Sequence, residues 1–328
     1  MQKLRLWAVS LFLLLLLPCA ALADKTVTMT FTGDVTLGGE AWAQKRNDSF
    51  RVFYENYGTS YFFEKVQSLF ATDDLTVVNL EGVISDSTAQ EDTKKQYRFR
   101  APTDYVNILT DASIEAVSLA NNHTKDFGTQ GFRSTRETLE SAGIGYFVRN
   151  TVYIYEKDGI KIAFFSLYSS NVTTHKAWCI SEMKRLKEEE GVNAIVFAFH
   201  AGQEYAEHHN SSQKYMATWA IEAGADLVIM HHPHILEGAE IINNRYVFYS
   251  LGNFCFGGNV EVRALETMIL RAVFTFSDDG EYLGQQMSIY PAHTSGTTPS
   301  CNYQPHLVTG TEAAEVIQLI QNDSKFVL

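Results

Sequence analysis

Ser118-Leu119-Ala120-Asn121-Asn122-His123-Thr124-Lys125-Asp126-Phe127-Gly128 is the stretch on which the reading turns. An apolar run ends at Leu119, and an amphipathic stretch of helix length begins just past Gly128. Between them stand Asn121, Asn122, His123 and Asp126. Asparagines form turns, and a loop histidine can be merely structural. So many metal- or proton-competent groups at one strand-to-helix junction point instead to chemistry. An amide oxygen binds a cation without adding charge, an adjacent imidazole can protonate a leaving group, and a carboxylate can hold that imidazole in one tautomer.

The same kind of junction recurs along the chain. The sequence predicts strands over 27–31, 75–79, 116–119, 160–166, 194–199 and 226–230. Helices are predicted over 62–70, 103–111, 130–142, 180–189 and 212–223. Strands separated by helices argue for βαβ units, an α/β class and a mainly parallel sheet. Past residue 235 the strands crowd together (238–242, 246–250, 267–276, 286–290), which predicts a second, more antiparallel sheet closed by a helix over 311–321.

Polar residues gather where the strands end. Asp34 follows the first, Asn79 and Glu81 end the second, His200 ends the run from Ala194, and His232 and His234 follow Leu227–Met230. Carboxyl ends of strands form the ligand crevice of open α/β sheets. A carboxylate fixed at a strand end, as Asp34 is, suits a hard cation. Asn79 and Glu81, spaced i, i+2, point the same way, so Glu81 can bridge two cations while Asn79 orients it or the backbone. In an extended chain His232-Pro233-His234 places both rings on one side, with Pro233 keeping the backbone out of helix. His208-His209 has no preceding strand and reads as exposed loop. The aromatic stretch 54–63 reads as core or cleft wall, and 184–190 as a solvated helix face. Lys94, Lys95, Arg98 and Arg100 form a dense basic cluster, which is either where an anionic substrate meets the cleft or ordinary surface charge.

The 328 residues carry a formal net charge of −12. Lys3 and Arg5 precede the apolar stretch from Leu6 to Pro18, and Ala21-Leu22-Ala23 has the small-x-small form of a cleavage site. The apolar run falls short of the roughly 20 residues that span a bilayer. A signal peptide over 1–23, cleaved after Ala23, is therefore expected, with an exported, extracellular or cell-envelope chain and no membrane span after cleavage. An anchor and a lipoprotein at Cys19 are the alternatives, and Pro18 stands where the latter requires a small residue. Residues 24–328 suffice for one large α/β domain. Losing Lys3 and Arg5 makes the mature chain more acidic still, which disfavours nucleic acid and obliges an acidic substrate to find a cation or a basic cleft. Cys179, Cys255 and Cys301 are odd in number and far apart, so at most one pair forms, and they read as core rather than ligands.

Taken in order, the motifs form a set. They are Thr32-Gly33-Asp34; Val78-Asn79-Leu80-Glu81-Gly82; Leu119-Ala120-Asn121-Asn122-His123 with Asp126 and Gly128; His200 with Gly202 and Glu204; Gly224-Ala225-Asp226-Leu227-Val228; His232-Pro233-His234; and Tyr249-Ser250-Leu251-Gly252-Asn253-Phe254. The set resembles the CapA (PgsA-like) poly-γ-glutamate capsule biosynthesis family, a branch of the calcineurin-like metallophosphatases. It runs from Thr32 to Phe254, about two thirds of the chain.

The resemblance implies a four-layer α/β/β/α sandwich with the site where two sheets meet. It also implies one or two divalent metal ions (Mn, Fe, Zn or Mg) sharing a bridging carboxylate and activating a water. Carried over residue by residue, Glu81 is the bridge. One ion takes Asp34, Glu81 and His234, and the other Glu81, Asn122, His200 and His232. His123 is the proton donor or transition-state stabiliser, and Asp126 its orienter. Asn79, Glu204 and Asn253, with Arg98 and Arg100, support the ligands or meet substrate. Those phosphatases begin Asp-x-His, whereas Thr36 stands here in place of the histidine, so the first ion is a protein ligand short. Met230 replaces the glycine common before the histidine cluster. The function implied is metal-dependent hydrolysis of a phosphoester or a γ-glutamyl polymer by an exported capsule-biosynthesis protein. The alternative is a non-catalytic component that binds, exports or anchors an anionic capsule polymer, alone or with other capsule-synthesis proteins.

Overall fold

The computed structural model describes residues 24–326, so the leader expected over 1–23 lies outside them. The first half of the chain forms β1 (Lys25–Thr36), β2 (Leu75–Leu80), a short ladder of β3 (Val83–Ile84) with β4 (Arg100–Ala101), β5 (Ala116–Ser118) and β6 (Gly145–Phe147). Helices α1 (Phe50–Tyr57), α2 (Gln67–Phe70), α3 (Val106–Asp111) and α4 (Gly128–Ser141) connect them. Next come β7 (Tyr153–Lys157), β8 (Ile160–Tyr168), β9 (Ala194–His200), β10 (Leu227–His231), β11 (Ala239–Ile242) and β12 (Arg245–Phe248), with α5 (Val172–Glu189) and α6 (Ser211–Glu222) between them. The chain closes with β13 (Asn253–Phe256), β14 (Glu266–Phe276), β15 (Tyr282–His293), β16 (His306–Leu307) and α7 (Gly310–Asn322).

Two sheets result. One has the order β16-β15-β14-β1-β2-β5-β6 with β13 beside the end of β1, and the other β11-β12-β10-β9-β8-β7. The central strands of both are parallel, as the βαβ spacing predicts. The expected antiparallel sheet beyond residue 235 does not form as a unit. Its first two strands extend the second sheet, while β14 returns to pair with β1 and β15 pairs in turn with β14.

The side chains explain the layering. In β8, Ile160, Ile162 and Phe164 face the other sheet, where they meet Val27, Met29, Phe31 and Val77. The alternate residues Ala163, Phe165 and Leu167 face Cys179 and Met183 of α5 and Met216 and Ala220 of α6. The outer face of the first sheet, Val78, Leu80 and Val117, packs on Ile108 and Leu109 of α3 and Leu139 of α4. A strand apolar on both faces belongs between layers, and each such buried side chain contributes about 1.5–3 kcal/mol. The order is helices, sheet, sheet, helices: the four-layer α/β/β/α sandwich that the resemblance implies.

Several local expectations change. The stretch 54–63 joins the core through Phe62 and Phe63, with Phe50 stacked 4.1 Å from Phe62. Only Gln67–Phe70 of the helix predicted over 62–70 is α-helical. The three cysteines are buried and free. His208 is exposed, but His209 lies flat on Tyr249, with ring centres 3.8 Å apart, and its Nδ1 is 2.7 Å from Asp323 Oδ2.

One close approach sets up the site. Gly252 has φ +75 and turns its carbonyl onto the Asp34 amide, which donates to it at 2.9 Å. A Cβ on Gly33 would sit 2.1 Å from that same carbonyl oxygen. Gly33→Ala therefore has to push β13 off β1, at a cost of about 1–3 kcal/mol. Urea denaturation will show the loss, and a variant as stable as the parent would refute this contact.

Candidate metal centre

Pairing sets the site. In one sheet Asp34 lies beside Asn79 across β1 and β2, and in the other His200 lies beside His231 across β9 and β10. The loops leaving β2, β5 and β10 add Glu81, Asn122 and His123, and His232 and His234. Asp34, Glu81 and His200 come together in one fully buried group.

The distances suit a cation. Donors sharing one ion at about 2.1 Å lie roughly 3.0–3.4 Å from one another. His200 Nε2 is 2.7 Å from Asn122 Oδ1, 3.1 Å from His232 Nδ1 and 3.5 Å from Glu81 Oε1. On the other side, His234 Nδ1 is 3.3 Å from Asp34 Oδ2 and 2.9 Å from Asn253 Oδ1. Asn79 ties the halves together: its amide donates to Asp34 Oδ1 at 2.7 Å and lies 3.3 Å from His200 Nδ1.

Glu81 is the strongest sign of a missing partner. It is fully buried, and neither carboxylate oxygen has a hydrogen bond. Such a group costs several kcal/mol unless something positive meets it. Burial, and then the charge of Asp34, pushes its carboxyl well above the ordinary value. Burial raises Asp34 too, but hydrogen bonds and charges from His231 and His234 outweigh it and leave Asp34 well below the ordinary range. Burial and then His232 hold His200 far below the usual imidazole value, and burial and His234 lower His232. Burial also opposes charge on His234, yet Glu81 and Asp34 push it up to about 9. The residues fit a divalent cation.

Beside the ligands stands the imidazole read from the opening stretch. His123 Nδ1 is 2.6 Å from Asp126 Oδ2, and Nε2 lies 3.8 Å from Glu81 Oε1. Asp126 is fully buried, accepting the Phe99 amide at 2.8 Å and Lys95 Nζ at 2.6 Å. Lys95 also donates to the Asn122 carbonyl. The Phe99 ring covers His123 at 4.2 Å.

The loop after β10 departs from its expected shape. His232 and His234 have φ +104 and +62, so this His-Pro-His segment is sharply bent rather than extended. Backbone of this kind costs about 1–3 kcal/mol per residue and collects at functional sites. It sends His232 Nδ1 to His200 and His234 to Asp34.

Arg98 and Arg100 are not brought to the ligands. Arg98 is paired with Glu91 at 2.7 Å and Arg100 donates to the Ser85 carbonyl, both lining a neighbouring cavity of about 470 Å³. Glu204 stands closer than a supporting position requires, forming a second cation-competent group with His232 and His234. Thr36 is fully buried, and its hydroxyl lacks a partner. Two contributors were given no role of their own from sequence. His231 Nδ1 lies 3.3 Å from Asp34 Oδ1, and Asn121 accepts the His123 amide while donating to the Leu80 carbonyl. The doubled Asn-Asn and His-His were the available signals.

Comparison with known proteins gives a consistent result. The family described as bacterial capsule synthesis protein PGA_cap matches residues 28–258. The PGA biosynthesis protein CapA of Bacillus subtilis (strain 168) is 27% identical over 258 residues, 71% of this chain and 64% of that one. The capsule biosynthesis protein CapA of Bacillus anthracis is 25% identical over 71% of this chain and 60% of that one. The chain thus spans less than two thirds of the length of these relatives. The crystal structure of a 5'-nucleotidase precursor from Thermus thermophilus aligns over 90% of this chain and 58% of that chain, at 13% identity and a TM-score of 0.46.

Proposed function

This chain belongs to the bacterial capsule synthesis protein PGA_cap family, and on that premise we propose that it is an exported metal-dependent hydrolase that cleaves a phosphoester or a γ-glutamyl linkage during capsule formation. The observation that carries the hydrolase reading is the His123–Asp126 pair directed at the orphaned carboxylate of Glu81. A protein that only held a polymer would need neither a buried acid–imidazole pair nor a positioned imidazole beside the ligands.

Glu81, Asn122, His200 and His232 would hold one divalent ion, and Asp34, Glu81 and His234 a second. When bound, such ions supply Lewis acidity toward a phosphoryl or acyl oxygen. The chain's own residues do the rest. Asp126 fixes the ring of His123, leaving Nε2 to pass a proton to the departing group. Lys95 supplies the counter-charge that lets Asp126 stay buried. Phe99 and Phe256 wall the cleft and keep water from the imidazoles. Export rests on the basic-apolar start of the chain, and no helix among the described residues is long and apolar enough to cross a membrane.

The second reading, a polymer-binding component without catalysis, draws its support from Thr36, a neutral hydroxyl where a ligand histidine was expected. Metal analysis decides first. Purified chain should carry one to two equivalents of Mn, Fe, Zn or Mg and turn over a phosphodiester or a γ-glutamyl oligomer. A folded, metal-free and inactive protein would remove the hydrolase reading.

A further inference from the structure

The cleft above the metal centre, a cavity of about 340 Å³, is lined by His123, Glu204 and His234 at its floor and by Arg46 and Arg263 among its walls. These two cations differ. Arg46 is held by Asp48 at 2.8 Å. Arg263 has no carboxylate partner among the described residues; it lines the cavity together with Tyr205 and Tyr97, whose phenols favour its charged form. Phenols orient a guanidinium without neutralising it, so its charge remains available to a ligand. In a chain of net charge −12 that is a notable local exception.

Arg263 is also tied to the site by its partner. The amide of Tyr205 donates to the Pro233 carbonyl at 2.8 Å, and Pro233 sits between His232 and His234. Tyr205 itself has φ +59, and its ring centre is 6.1 Å from that of His234. Tyr205, which shares the cavity lining with Arg263, is therefore held by the same loop that carries the ligands. Glu40, Glu204 and Glu261 share the cavity, so a doubly charged group would meet more repulsion than a singly charged one. A planar, singly charged carboxylate matches both the fork of a guanidinium and this field.

We propose that Arg263, steadied by Tyr205 and Tyr97, anchors a carboxylate of the substrate and so sets which linkage of a carboxylate-bearing chain lies over His123. This deepens the hydrolase reading and rests on it for the word substrate; the anchor itself is a binding claim and is tested as one.

The test is calorimetric binding of a defined oligo-γ-glutamate and of its α-methyl ester to the purified chain, with metal content measured on each preparation. The parent should prefer the acid. Arg263→Gln should weaken binding of the acid about 10- to 100-fold, leave the ester unchanged and keep the same metal content. Arg263→Lys should recover part of the preference, because it restores the charge and not the fork. The proposal fails if Arg263→Gln keeps the preference, if it weakens acid and ester alike, or if the parent binds neither. Failure of the hydrolase reading looks different: folded, metal-free, inactive protein that still separates acid from ester leaves the anchor standing. Active, metal-loaded protein that binds acid and ester equally well removes the anchor alone.

Discussion

Glu81→Gln will make the metal-free protein more stable and leave it unable to keep metal. The two effects have one cause. Glu81 is fully buried, with both oxygens unpartnered, and shares its pocket with Asp34. Glutamine has nearly the same shape and no charge. Replacing an uncompensated buried carboxylate should yield about 1–3 kcal/mol in chelator-treated protein. The pH dependence has a definite sign. The folded state holds the Glu81 proton at pH values where the unfolded chain has given it up. Parent stability therefore falls as pH rises above the ordinary carboxylate range, and the advantage of Glu81→Gln grows with it. With metal present the order reverses, because an ion bound only by the folded parent stabilises that parent, and losing the shared ligand should weaken retention by more than about 100-fold. Thermal melts with and without chelator at two pH values, together with metal analysis, measure all of this. A variant that keeps its metal, or melts earlier without it, would remove Glu81 from the centre.

The second large effect is on rate. His123 belongs to neither group of converging metal donors, and its Nδ1 is engaged by Asp126. His123→Ala should lower turnover of a phosphodiester or γ-glutamyl oligomer by about 10²–10⁴-fold while metal content stays close to the parent's and stability falls by about 1–3 kcal/mol for the partner lost to Asp126. Near-parental turnover would show that no proton passes through this ring. Loss of metal along with activity would make His123 a ligand instead.

Much of this centre was readable because its chemistry lies at strand ends, where local sequence and position in the fold coincide. Asn79 and Glu81 close an apolar run, and the spacing of His123 and Asp126 already implies a contact. What could not be read is the assignment of strands to sheets. β8 and β9 are apolar on both faces, and that pattern is the same in either sheet. Tyr153–Lys157 was missed because a half-exposed edge strand of Tyr-Ile-Tyr-Glu-Lys has no clean alternation. The bend at His232 and His234 opposes the preference of non-glycine residues, so local reasoning favoured the extended form. The basic cluster at 94–100 stayed open between two readings for a different reason. Arg98 is taken up by Glu91, just upstream, and Lys95 by Asp126, well downstream, while Arg100 turns to the Ser85 carbonyl; Arg263, by contrast, carries no local signal at all.

The division of ligands between the two sheets has a consequence for how the protein is made. Asp34, Glu81 and Asn122 are supplied by the early part of the chain, His200, His232 and His234 by the later part, and Asn253 braces them from further on still. No partial chain emerging from a ribosome holds a complete site, so an ion held by these residues would be acquired only after synthesis has passed the last of them and the layers have docked. Its identity would then follow from the metals present in the compartment where docking finishes, since mixed oxygen and nitrogen donors leave several divalent ions in contention.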